Sequence, residues 1–125
     1  HQNNYKINVL INKEEYDFNY ELINNSNVEQ TFTSIEKALN KVKKNKNLCM
    51  IKNEQIPDYC KGKYLFLPSI TISHSNISSE KNNIESGDIV LIKDSISLAE
   101  LNVILNQIKY QDLSIVPLSE LILEN

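Results

Sequence analysis

Chemistry has few places to start in this chain. His74 is the only internal histidine, and it stands among hydroxyls in Ser73-His74-Ser75-Asn76-Ile77-Ser78. An imidazole can activate a serine when a carboxyl group orients it, and Ser73, His74 and Asp88 supply those three residue types. One histidine among many serines makes such a set unspecific, so His74 reads as a loop residue. Glu14, Glu15 and Asp17 follow the first apolar run. They fall at the end of a strand where α/β sheets place ligands, and they could hold a divalent ion there. A solvated turn is the simpler account.

Tyr16, Phe18 and Tyr20 are spaced by two, so on an extended segment their rings share a face. Half-buried packing explains them more simply than a carbohydrate platform, and Tyr16 and Tyr20 are retained as ligand contacts. Lys41, Lys43, Lys44 and Lys46 crowd the end of a helical stretch, where cations favour the helix dipole. They could meet an anionic polymer; a solvated helix end is the simpler reading. Cys49 sits in the apolar run Leu48-Cys49-Met50-Ile51 and reads as a buried strand residue. Cys60, in Pro57-Asp58-Tyr59-Cys60-Lys61-Gly62, is more loop-like. Neither has a second Cys or His at metal-ligand spacing. In an exported chain the two could pair, which spacing alone does not decide. With only Gly62 and Gly87, no glycine-rich phosphate loop exists.

The elements that must position these groups are legible in part. Tyr5 to Ile11 alternates early and then turns fully apolar, which predicts a strand. Asn27 can cap a helix with Gln30 as capping-box partner, and Val28, Phe32, Ile35, Leu39 and Val42 line one face. Leu48 to Ile51 and Lys63 to Leu67 read as strands, with Ile70 to Ser73 extending the second beyond Pro68. Ser73 to Gly87 reads as a long loop. Asp88 to Ile92 is a strand. Ser97 caps a helix, Glu100 completes its capping box, and Leu98, Leu101, Ile104, Leu105 and Ile108 face the core. Leu113 to Val116 is a last strand, and Ser119 starts a terminal helical turn through Leu123. Strands alternating with helices favour a mostly parallel sheet covered by helices.

Composition narrows the classes. At 125 residues this is one domain, or a piece of one, long enough for one core. All 13 basic residues are Lys and the net charge is −3, which argues against a nucleic-acid binder with its Arg forks. No apolar run approaches the ~20 residues that cross a bilayer, and no signal-peptide pattern opens the sequence. Heavy use of Asn, Ile and Lys suits an AT-rich genome and carries no function.

The C-terminal part holds a longer pattern. Ser86-Gly87-Asp88 precedes Ile89-Val90-Leu91-Ile92, and Lys93-Asp94 follows. Then come Leu101-Asn102-Val103-Ile104-Leu105-Asn106-Gln107-Ile108-Lys109 and Ile115-Val116-Pro117-Leu118-Ser119-Glu120-Leu121. In order, spacing and residue type, the stretch from Ile84 to Ile122 resembles the closing part of the polysaccharide deacetylase family, the NodB-homology domain. That family has a Pro-Gly-Asp turn, a strand ending in Leu-His-Asp, a Leu-x-x-Ile-Leu helix, and a strand leading into Leu-Ser-Glu-Leu.

The resemblance implies metal-dependent hydrolysis of N-acetyl groups on glycans. An Asp pair supplies a metal ligand and a base, a His-x-x-x-His motif completes the metal site, and a late His is the general acid. The metal acidifies a water, and the acid protonates the leaving amine. This sequence departs at each point. It has no Asp-Asp pair. Lys93 stands at the late His, and an ammonium is in general a poor acid at neutral pH. His74 echoes the start of a His-Ser-x-x-His motif, but Ser78 replaces the second His and Lys93 follows too closely. Asp94 keeps the family's turn role.

The expectation is therefore one α/β domain over 1–125, a mostly parallel open sheet with flanking helices. It would be a truncated or degenerate relative of the deacetylase (β/α) barrel, which needs roughly 200 residues to close. The implied function is a non-catalytic unit of a bacterial cell-envelope protein, accessory, glycan-binding or scaffolding. It would be extracellular or envelope-associated in a low-GC Gram-positive organism, in wall remodelling or sporulation. Its partner would be cell-wall glycan or another envelope protein, contacted by Lys93 and Asp94 with Tyr16 and Tyr20. No catalytic residue, metal or cofactor is expected. The alternative is a segment of an active metal-dependent N-deacetylase whose catalytic residues lie outside this stretch. A plain α/β interaction module with a convergent C-terminal likeness is the third reading.

Overall fold

Lys6–Asn12 forms strand β1, and Ile7 to Ile11 are all buried along it. A strand buried on both faces belongs in the middle of a sheet, and β1 lies there. The computed structural model describes residues 5–12, 19–22, 32–51 and 55–122. Along one edge of β1 runs β7 (Ile89–Ile92), parallel, with Asn8 opposite Ile89 and Ile11 opposite Ile92. The other edge is shared by two strands. β2 (Asn19–Leu22) takes the C-terminal half, antiparallel, from Val9↔Leu22 to Asn12↔Asn19. β8 (Ser114–Ile115) takes the N-terminal end, parallel, at Lys6↔Ser114 and Ile7↔Ile115. Beyond β7 lies β6 (Ile70–Ile72), parallel, and beyond β2 lies β3 (Lys43–Asn45), antiparallel. A separate pair, β4 (Leu48–Met50) and β5 (Tyr64–Phe66), is parallel.

The fold is thus mixed α/β with a sheet core and four α-helices among the described residues: α1 (Ile35–Asn40), α2 (Ile77–Glu80), α3 (Leu98–Tyr110) and α4 (Leu118–Ile122). The α/β class agrees with the sequence reading. The sheet is less uniformly parallel than expected, because β2 and β3 add two antiparallel pairings.

Alternation along the strands sorts two cores. Val9, Ile11, Tyr20, Leu22, Ile72, Val90 and Ile92 pack on one face with Ala38 and Leu39 of α1 and with Leu101, Ile104, Leu105 and Ile108 of α3. On the other face Leu10 and Leu91 meet Leu48, Phe66 and Leu118. Gly87, at φ 91°, makes the turn before β7 that brings its N–H to the Lys6 carbonyl at 2.6 Å. Among the described residues, no helix is long and apolar enough to cross a membrane.

Three elements differ from the sequence reading. Phe32 to Ser34 are not helical; α1 begins after Ser34, whose hydroxyl accepts the Lys37 N–H at 3.2 Å. That bond satisfies one otherwise orphaned N–H and sets the start. The expected cap Asn27 and its partner Gln30 lie outside the described residues. Nor does the helix run through the lysines: Lys43 to Asn45 leave it to pair with β2. Beyond Val42 that run has no apolar residue to bury, so packing does not prolong the helix. The loop expected over Ser73 to Gly87 contains α2 and a 3-10 turn at Lys81–Asn83. The capping box of α3 is as expected: Ser97 Oγ accepts the Glu100 N–H at 3.2 Å, and Glu100 Oε1 accepts the Ser97 N–H at 2.9 Å.

Candidate functional site

Because β1, β6 and β7 run parallel and in register, Asn12, Ser73 and Lys93 emerge together at their C-terminal ends. Open α/β sheets place ligands at that edge. The Lys93 N–H still donates to the Ile72 carbonyl at 2.9 Å, and the Ile96 N–H closes a turn on the Lys93 carbonyl at 3.1 Å. Ile96 is buried, so it pins the turn and holds Lys93 and Asp94 at the rim. Two hollows meet at Lys93. One, of about 10 Å³, lies beneath Asn12, Lys93 and Asp94 against Ile11, Ile92, Ile96 and Leu101; it has room for about one water. The other is an open groove of about 300 Å³ between Met50, Ile51, Leu67, Pro68, Thr71, Leu91 and Lys93. Its apolar floor with a cation at the rim can seat a small ring-shaped group.

His74 lies beside this edge. Its Nδ1 faces Glu100 Oε2 at 2.7 Å, its side chain is 73% exposed, and its N–H donates to Ser95 Oγ at 3.1 Å. Ser73 Oγ is paired with Ser75 Oγ at 3.0 Å. Asp88 is at the other end of β7, where its carboxyl accepts from Ser69 Oγ at 2.9 Å and from the Glu85 N–H at 2.8 Å. Five residues of strand, about 16 Å, separate it from the His74 edge. The Ser73–His74–Asp88 set is therefore not assembled. Sequence reasoning missed Glu100 as the imidazole's partner, because the contact depends on how the β6 loop meets α3.

The Ser97 backbone N–H lowers the Glu100 carboxyl below its ordinary 4.5; partial burial opposes this, and the His74 ring adds to the lowering. A carboxyl depressed by folding contributes stability above its unfolded value, and that contribution is lost as pH falls through the folded one. The thermal midpoint is accordingly expected to drop below pH 4.5, and to drop less in Glu100→Gln. Superimposable pH profiles for the two proteins would remove Glu100 from the acid response.

The other expected residues separate. Tyr20 is 5% exposed and packs in the core, with Lys44 Nζ 5.9 Å from its ring centroid. A sugar platform needs an open ring face, which that burial denies. Tyr16 and Phe18, with Glu14, Glu15 and Asp17, lie outside the described residues. Among the described residues no three His, Cys, Asp or Glu side chains are grouped to hold a metal.

Cys49 and Cys60 form a disulfide with Cα atoms 5.6 Å apart, and both are buried. Burial of Cys49 agrees with the sequence reading. Cys60 lies in a 3-10 turn, Asp58–Cys60, drawn inward by the bond.

A buried polar network at the fork between β2 and β8 left no trace in the pattern of the sequence. Asn8 is fully buried and Glu21 is 1% exposed. The Asn8 amide donates to Glu21 Oε2 and to the Val116 carbonyl, both at 2.9 Å. Glu21 also accepts from the Leu118 N–H at 2.6 Å and from Asn45 Nδ2 at 3.2 Å.

Compared with protein-family models, with curated proteins and with solved structures, the chain matches none.

Proposed function

We propose that the chain is a non-catalytic, deacetylase-like domain of an exported bacterial envelope protein, and that it binds cell-wall glycan at the edge around Lys93. The carrying observation is the placement of Lys93 and Asp94 at the end of β7, with Lys93 bordering the groove over Met50, Leu67 and Thr71 and Asp94 the small hollow beside it. Under the resemblance this is the position of the family's general acid, and here it carries an ammonium. A cation at the rim can hydrogen-bond sugar hydroxyls and acetamido carbonyls without proton transfer. Support for export comes from the Cys49–Cys60 disulfide, since such bonds persist in oxidising compartments. The order turn, β7, α3, β8, α4 is the order the resemblance implies for residues 84–122.

The test is a titration of the isotope-labelled protein with N-acetylated chito-oligomers and muropeptides, followed by amide shifts. Shifts centred on Thr71, Leu91 and Lys93, weakened about threefold in Lys93→Gln, are expected. No acetate should be released with zinc present. An absence of shifts at millimolar ligand removes the binding role; acetate release removes the non-catalytic one.

A further inference from the structure

β4 and β5 form a sheet of two strands, so each has a strand neighbour on one side only. The Tyr64 N–H donates to the Asn47 carbonyl at 2.7 Å, and the Phe66 carbonyl accepts the Ile51 N–H at 3.0 Å. Backbone groups alternate in direction along a strand. With Tyr64 and Phe66 turned towards β4, the N–H and carbonyl of Leu65 point to the open side. Among the described residues nothing pairs with them there, nor with the Leu67 N–H or the Lys63 carbonyl.

The edges of the main sheet are treated differently. At the outer edge of β6 the Thr71 carbonyl accepts from Asn76 Nδ2 at 3.0 Å. β3, at the opposite edge, carries Lys43 and Lys44. A side-chain cap and charged residues both discourage pairing with another chain. β5 has the opposite character: Tyr64-Leu65-Phe66-Leu67 is apolar throughout. Tyr64 is 48%, Leu65 37% and Leu67 55% exposed. Tyr59, in the turn that Cys60 ties to β4, is 70% exposed, and Ile56 is 52% exposed. Of the eight large hydrophobic residues exposed among the described residues, five fall within 56–67. The exposed apolar surface is therefore gathered beside this edge rather than scattered, as at an interaction site.

We infer that this edge pairs with the same edge of a second copy of the chain, antiparallel about a two-fold axis at Leu65. In that register each Leu65 N–H donates to the Leu65 carbonyl of the other copy, and each Leu67 N–H to the other copy's Lys63 carbonyl. Every donor and acceptor used is one that the single chain leaves open, so the edge is complementary to itself. Tyr64 falls opposite Phe66, and the Lys63 stem lies along Leu67. Pro68 has no N–H, which keeps the pairing short. The contact is isologous and closes on two chains. At roughly 200 Å² for a whole large side chain, the five exposed fractions offer about 500 Å² per copy. That is the low end of specific interfaces, where dissociation falls in the micromolar range. The dimer does not depend on the glycan reading.

Sedimentation equilibrium of the full oxidised chain from about 5 to about 500 µM brackets that affinity. A monomer–dimer equilibrium is expected. Amide hydrogen exchange at Leu65 and Leu67 should slow as concentration rises, while the already bonded Tyr64 and Ile51 amides change less. Leu65→Lys sets two ammonium groups side by side across the axis and should weaken dimerisation about tenfold. Tyr110→Lys, at an 84% exposed residue ending α3, should leave it unchanged. If Leu65→Lys does not fold, exchange in the unsubstituted chain decides. The inference is overturned if the chain stays monomeric throughout, or if dimers form without protection of the Leu65 amide. It is overturned equally if Leu65→Lys associates as tightly as the unsubstituted chain, or if Tyr110→Lys weakens association as much. Should the chain stay monomeric while an added Thr-Val repeat peptide protects the Leu65 amide, the edge takes a foreign strand and the second copy is ruled out.

Discussion

Replacing Glu21 by Ala is expected to destabilise the protein by about 3 to 4 kcal/mol, through donors left without an acceptor. Three N–H groups point at the Glu21 carboxyl, and those of Asn8 and Leu118 are in buried bonds. Each buried donor stranded costs about 1 to 3 kcal/mol. Glu21→Gln keeps one acceptor oxygen but turns an NH2 towards a donor, and should cost about 2 kcal/mol. Asn8→Ala removes one of the same bonds. The double variant Asn8→Ala, Glu21→Ala should therefore lose about 1 kcal/mol less than the two singles together. Urea midpoints at constant slope measure all four proteins. A cost below about 1 kcal/mol for Glu21→Ala would mean that this network does not tie the fork together.

Reducing the disulfide is expected to cost a similar amount, about 3 kcal/mol for a loop with a sequence separation of 11. For a chain of this size that lowers the thermal midpoint by about 10 °C. The bond matters because of what it anchors. β4 and β5 form a two-stranded sheet, which is marginal alone. It is held to the main sheet by Leu48 and Phe66 packing on Leu10, Leu91 and Leu118. Cys60 fixes the connection between the two strands to Cys49 inside β4. In the reduced protein, hydrogen exchange should rise first at the Tyr64 and Ile51 amides, which bond Asn47 and Phe66 across this pair. The double variant Cys49→Ser, Cys60→Ser should match the reduced protein. Equal midpoints for oxidised and reduced protein would deny the bond any part in stability.

The two results bear on different regions of the fold. Glu21 holds Asn45 and hence the turn between β3 and β4. The disulfide holds β4, whose end supplies Met50 and Ile51 to the groove beside Lys93.

By itself the sequence determined whatever short-range physics decides. The apolar run in β1 predicted a strand. Ser97 and Glu100, three residues apart, predicted the start of α3, and its apolar spacing named the buried face. The apolar run Ile89 to Ile92 predicted a strand, and Lys93 and Asp94 follow its end. Tertiary structure alone decided the rest. α1 stops short and Lys43 to Asn45 become a strand because β2 offers them a ladder, which local propensity does not encode. The cysteine pairing needed the return of the chain around Pro57. Tyr20, on a segment that also suited a platform, is core because α1 and the sheet close over its face. Asn8 and Glu21 look like ordinary solvent-facing positions until Val116 and Leu118, 108 and 97 residues away, arrive to bury them. Each of these outcomes is set by contacts between distant segments, whose free energy exists only once the chain has closed the loops between them.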